Sequence, residues 1–133
     1  MNSRASESET LVLPRPLVNQ LLHAAQEARS FSQGFVLRRA DDHFRCAPLP
    51  ADADLARAGK QLQSHAERLF AFYRTSNRLL PPPAATELRV IVEFVPLYLG
   101  VALDIRGVLQ LRGWRFDGLK TLELDVTIRE AET

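Results

Sequence analysis

Residues 73–88 read YRTSNRLLPPPAATEL and gather side chains that could do chemistry. Arg74, Thr75, Ser76, Asn77 and Arg78 follow the apolar run LFAFY (69–73), and Glu87 lies in the helix-like AATEL beyond a triple proline. A strand that opens into a loop and then a helix is a frame on which active sites are built. Yet this loop supplies guanidinium, hydroxyl and amide groups, with no base beside a nucleophile. The three histidines, His23, His43 and His65, fall in three different elements with neither HxH nor HxxxH spacing. They read as surface or packing residues, not as metal ligands. Cys46 stands in an apolar strand-like run and reads as a packing thiol. Arg106, Arg112 and Arg115 alternate with Trp114 and Phe116, a pattern that could stack and clamp a nucleic acid. Asp104, Asp117 and Glu123 dilute that charge, so the run reads as a solvated strand face over core aromatics. The prolines at 81–83 read as stiffening for the loop, with a polyproline partner motif as the alternative.

Composition narrows the function classes. The 133 residues suffice for one domain with a proper core. Seventeen basic residues against 16 acidic ones leave a net charge of +1, without the basic surplus of a nucleic-acid or anionic-membrane binder. One cysteine makes an internal disulfide impossible and suits a reducing, cytoplasmic setting. No apolar run approaches the ~20 residues of a membrane span. The polar start MNSRASESET lacks the apolar stretch of a secretory signal; residues 1–10 read as a disordered tail and 11–129 as the domain.

The elements that must position these residues follow from periodicity. LVL (11–13) reads as a strand. Leu17, Leu21, Leu22, Ala25 and Ala28 recur at helical spacing and predict a helix over about 15–29, with Pro16 in its first turn. Strands are expected at 33–39 and 43–49 around a turn made by Asp41 and Asp42. A helix is expected over 51–68, N-capped by Asp52 or Asp54, then a buried strand at 69–73. The loop from Arg74 to Pro83 precedes a helix at about 84–94. Three strands close the chain at 97–104, 108–116 and 119–128, the last two joined by the hairpin signal Asp117-Gly118. The order β-α-β-β-α-β-α-β-β-β predicts a single α/β domain with a mixed sheet and about three helices.

On these residues the chain resembles a known family. LVLPRPLVNQLLHAAQ, LFAFY with the Pro/Ala loop and AATEL, and LYLGVALDIRGVLQLRGWRFDG together resemble bacterial JAMM/MPN (Mov34/PAD-1, JAB-like) metallopeptidase domains. The resemblance spans about 11–127 and implies a cytidine-deaminase-like fold. Active members of that family carry His-(Ser/Thr)-His, seven residues, Ser, two residues, Asp, which hold a zinc ion with one open position. They also carry a glutamate base on the second strand. By this resemblance the two histidines fall on Arg74 and Ser76, the serine on Ala84, the aspartate on Glu87 and the base on Phe31; only Thr75 keeps the pattern.

Zinc takes imidazole, thiolate or carboxylate ligands, whereas here a permanent guanidinium, a hydroxyl and one carboxylate stand at the ligand positions. Without zinc, water keeps its pKa near 15.7 instead of about 7, and Phe31 supplies no proton shuttle. Arg74 and Glu87 would both have touched one metal, so they are expected to pair with each other. The expectation is a catalytically inactive JAMM/MPN-like protein with no catalytic residue and no zinc or other cofactor. By family analogy it acts through a protein partner: a ubiquitin-like sulfur-carrier protein, an active JAMM relative, or itself. The alternative is a drifted metal-dependent, isopeptidase-like hydrolase that holds its metal through Glu87, or that uses Thr75, Ser76 or Cys46 without metal. A small-ligand pocket in place of the metal site is a third reading.

Overall fold

Ten elements follow one another in a computed structural model that describes residues 9–28, 31–64 and 66–130. In order they are β1 (Thr10–Pro14), α1 (Arg15–Glu27), β2 (Phe31–Arg39), β3 (Phe44–Leu49), α2 (Leu55–Leu62), β4 (Glu67–Ser76), α3 (Ala85–Ile91), β5 (Leu97–Leu103), β6 (Leu109–Asp117) and β7 (Lys120–Arg129). The seven strands form one mixed sheet in the order β1-β7-β6-β5-β4-β2-β3. The β1/β7 and β4/β5 pairs are parallel, and the other pairs are antiparallel. The expected mixed α/β architecture with three helices is therefore present.

Strand alternation sends the apolar side chains to two sheet faces. On one face Val36, Tyr73, Leu99 and Val101 pack with Leu17, Val18 and Leu21 of α1. On the other, Phe35, Phe72, Tyr98 and Trp114 pack with Ile91 of α3, and Leu55, Ala58 and Leu62 of α2 lie against them. A bulge adjusts the two layers. Val36 pairs with Ala71 but Leu37 pairs with Leu69, so Phe70 is an extra residue in β4. Leu69 and Phe72 thereby reach the α2/α3 layer, while Phe70 and Ala71 reach the α1 layer.

Several boundaries differ from those the sequence predicts. α1 ends at Glu27, because Ala28 is already extended at φ −88°, ψ 115°. The helix expected over 51–68 is only α2; Asp54 caps it by accepting from Arg57 N at 3.1 Å, and Gln63 leaves helical geometry. β2 starts at Phe31 rather than residue 33, since Phe31 and Ser32 pair with Ser76 and Thr75. The consequential correction is at β4. Arg74, Thr75 and Ser76 are strand residues, not loop, because their backbones pair with β2 on one side and β5 on the other. α3 is a short helix of seven residues, with Val92 its C-cap. Of the tail expected over 1–10, Thr10 opens β1 and Glu9 reaches Arg115; residues 1–8 lie outside the described residues, as does His65. The Asp42 turn and the Asp117-Gly118 hairpin are both present, with φ of 65° at Asp42 and 62° at Gly118.

Candidate functional site

The β4–α3–β5 unit places the candidate residues. β4 and β5 run parallel, with α3 between them in sequence, and Arg74 lies two residues before Ser76, which closes β4 at its carboxyl end. Open α/β sheets present ligand sites outside such carboxyl ends. Phe72, Arg74 and Ser76 share the α3 face by alternation. Arg74 stands in a row of register partners, Gln33 on β2 and Gly100 on β5.

The Arg74 side chain is 13% exposed and makes two side-chain hydrogen bonds. Nη2 donates to Glu87 Oε2 at 2.5 Å, and Nε donates to Gln33 Oε1 at 3.3 Å. Gln33, itself buried, is held by donating Nε2 to Pro50 O at 2.9 Å and to Ala51 O at 3.3 Å. The guanidinium carbon lies 5.3 Å from the Phe72 ring centroid and 6.0 Å from that of Phe31. Arg is the cation suited to this combination of a carboxylate, an amide and aromatic faces. Glu87 sits in the first turn of α3, where a carboxylate is favoured, and its side chain remains 42% exposed. The Arg74–Glu87 pair expected from sequence is therefore formed, but it is half-open rather than fully buried.

Tyr98 joins this group. Its ring stacks near Phe72 at 6.3 Å and tilts against Trp114 at 5.4 Å. Its hydroxyl is buried and has no hydrogen-bond partner among the described residues. Burial pushes the phenol up to about 12; the Arg74 cation opposes that shift and the Glu87 carboxylate adds to it, so both charges act on this hydroxyl.

Of the five positions named from sequence, Phe31, Arg74 and Glu87 meet here, whereas the Ser76 hydroxyl bonds within its own segment, to Asn77 Oδ1 at 3.4 Å. Phe31 pairs with Ser76 in register and faces the Arg74 guanidinium. Ala84 is the N-cap of α3, with Glu87 N and Leu88 N donating to its carbonyl. Thr75 points to the opposite face, where its hydroxyl meets Ser32 Oγ at 2.5 Å. Gln33, Phe72 and Tyr98 are members of the site that sequence reading missed. The signal was available: Phe31, Gln33 and Phe35 alternate, so Gln33 joins the face of Phe31 once β2 is extended back to it.

The donor set does not suit a divalent metal. Arg74 and Ser76 are non-ligating at neutral pH, and Glu87 is already committed to a guanidinium. Among the described residues no three His, Cys, Asp or Glu side chains gather. His23 pairs with Glu27 at 3.6 Å and His43 with Asp41 at 3.0 Å, both exposed. Burial pushes the Cys46 thiol up to about 12, which leaves it protonated and unreactive at neutral pH. Cys46 and Tyr73 line a groove of about 610 Å³ beside α1, on the face opposite Arg74. The three arginines of the basic-aromatic run are also paired: Arg106 in the β5–β6 turn with Asp104, and Arg112 and Arg115 of β6 with Glu123 and Glu9. Trp114 is core, 7% exposed.

No protein-family model matches this chain, and no curated protein matches it. Among solved structures, the chain is similar to the solution structure of protein DSY2949 from Desulfitobacterium hafniense, at 17% identity and a TM-score of 0.61. The match covers 90% of this chain and 93% of that one. At that identity the likeness is one of fold. No helix among the described residues is long and apolar enough to cross a membrane.

Proposed function

We propose that this chain is a non-catalytic JAMM/MPN-like domain, with a cytidine-deaminase-like arrangement of its sheet, that works in the cytoplasm through a protein partner. The observation that carries the reading is the Arg74–Glu87 pair. Residues that the resemblance assigns to two metal ligands, 13 positions apart, touch through a 2.5 Å hydrogen bond. Phe31, assigned to the base, faces the same guanidinium, and Ala84 begins the helix that carries Glu87. The internal cation fills the seat of a metal, and the apolar ring of Phe31 fills the seat of a base. Hydrolysis through a metal-bound hydroxide has no donor set here. What the domain retains is a shaped surface at the end of β4, suited to interaction with another subunit, a second copy of itself, or a ubiquitin-like carrier.

The test is to restore the donors. The triple variant Arg74→His, Ser76→His, Glu87→Asp should take up about one zinc per chain, in a site of three protein ligands with one open position. The parent protein should take up none under the same conditions. Elemental analysis after dialysis reads both. A folded triple variant that leaves zinc in the dialysate would sink the family reading, because side chains that do not converge in that way cannot share a metal.

A further inference from the structure

We propose that Arg74 is a preformed receptor for a ligand carboxylate, with Glu87 as the internal group that occupies it until the ligand arrives. Such a ligand is a small organic acid or the free C-terminus of a peptide. The inference rests on the reading of the domain as non-catalytic and gives its site a ligand chemistry.

Preorganisation is the first support. Gln33 orients the guanidinium at Nε, and the rings of Phe31 and Phe72 hold its flat faces, so an incoming anion meets a fixed donor edge. The second is the asymmetry of the pair. Arg74 is 13% exposed and anchored from three sides, whereas Glu87 is 42% exposed and makes no other side-chain hydrogen bond among the described residues. When the pair opens, Glu87 is the member that moves into water. The third is the Tyr98 hydroxyl, a buried donor with no acceptor. Both charges of the pair act on it, and a carboxylate with two oxygens can serve it and Arg74 together. A native buried donor left unpaired calls for an explanation of this kind.

The direction of entry also follows. On the α2 side of Glu87 lies a cleft of about 270 Å³ that Asp54 and Glu87 both line, which repels an anion. Phe31, beside the guanidinium, is an exposed large apolar residue at 38%. A carboxylate carried next to an apolar group therefore fits better than a bare one.

Trp114 is the single tryptophan and lies 5.4 Å from Tyr98, so its fluorescence reports on the site. The probes are acetate, N-acetyl-leucine, N-acetyl-leucinamide, and a tetrapeptide ending in leucine as its free acid and as its amide. Expected are saturable fluorescence changes with the free acids and none with the amides. N-acetyl-leucine should bind more tightly than acetate. A tetrapeptide acid tighter than N-acetyl-leucine assigns the site to a chain terminus; equal affinity assigns it to a small acid. Glu87→Gln, which removes the internal competitor and keeps its shape, should tighten every acid by tenfold or more. Arg74→Gln should abolish the response, with its fold checked by amide NMR spectra. Equal responses to acid and amide, no acid binding in either the parent or Glu87→Gln, or no tightening in Glu87→Gln overturns the proposal. The zinc experiment is independent of these titrations. Acid binding by a chain whose triple variant rejects zinc keeps the receptor and discards the family reading.

Discussion

Arg74 keeps a permanent charge in a site that is mostly out of water, and the consequences are read residue by residue. Its stem and planar head pack on Phe31 and Phe72, so Arg74→Ala loses that contact as well as the pair. The expected cost is about 1–3 kcal/mol. Arg74→Met keeps the apolar stem and releases Glu87, which is already 42% exposed, into water. It should cost under about 1 kcal/mol, because half-open ion pairs contribute little net stability. Denaturant midpoints of the two variants separate packing from charge. Equal losses would mean that the ion pair, not the contact, dominates. The identity of this pair was legible from sequence because a guanidinium and a carboxylate stand at two positions assigned to one metal. The unpaired Tyr98 hydroxyl was not, since nothing in LYLGV distinguishes a phenol that finds a partner from one that does not.

β2 and β4 illustrate what decides an element. The apolar run LFAFY announces a strand and then stops, and the polar residues Arg74, Thr75 and Ser76 look like the loop after it. They remain in the strand because pairing partners on both sides bond their backbones, and because the polar side chains find partners: Arg74 in Gln33 and Glu87, Thr75 in Ser32 and Ser76 in Asn77. Hydrophobic periodicity has no access to that compensation. Close approach is the second element-level constraint. A Cβ on Gly34 would lie 2.3 Å from the Ala47 carbonyl oxygen on β3 and 2.8 Å from the Tyr73 hydroxyl on β4. Gly34→Ala must therefore push β3 outward. It should destabilise by about 1–3 kcal/mol, the range of overpacked cores, and raise amide exchange along β3 relative to β5. A variant with unchanged melting and unchanged β3 protection would mean that the sheet yields there without strain.

At the scale of the whole molecule, the two ends of the chain close on each other. β1 lies parallel to β7, Arg15 pairs with Glu130, and Glu9 pairs with Arg115. Leu13 on this edge strand is fully buried with Leu17, Leu21 and Leu124. Leu13→Ala should therefore cost about 2–5 kcal/mol, as for a central core leucine. Calorimetry or urea unfolding checks it, and a loss below about 1 kcal/mol would identify a frayed edge.

The sequence by itself determined the order of ten elements, the mixed α/β class and the arginine, serine and glutamate at residues 74, 76 and 87. Each of these is a local matter of periodicity, turn chemistry or side-chain type. Tertiary structure alone decided that Arg74 lies in a strand, that Gln33, Phe72 and Tyr98 surround it, and that Glu87 stays half in water. The physical reason is register. Strand pairing fixes which residues from distant segments share a face and a row, and a one-residue slip would move every one of them to the other side.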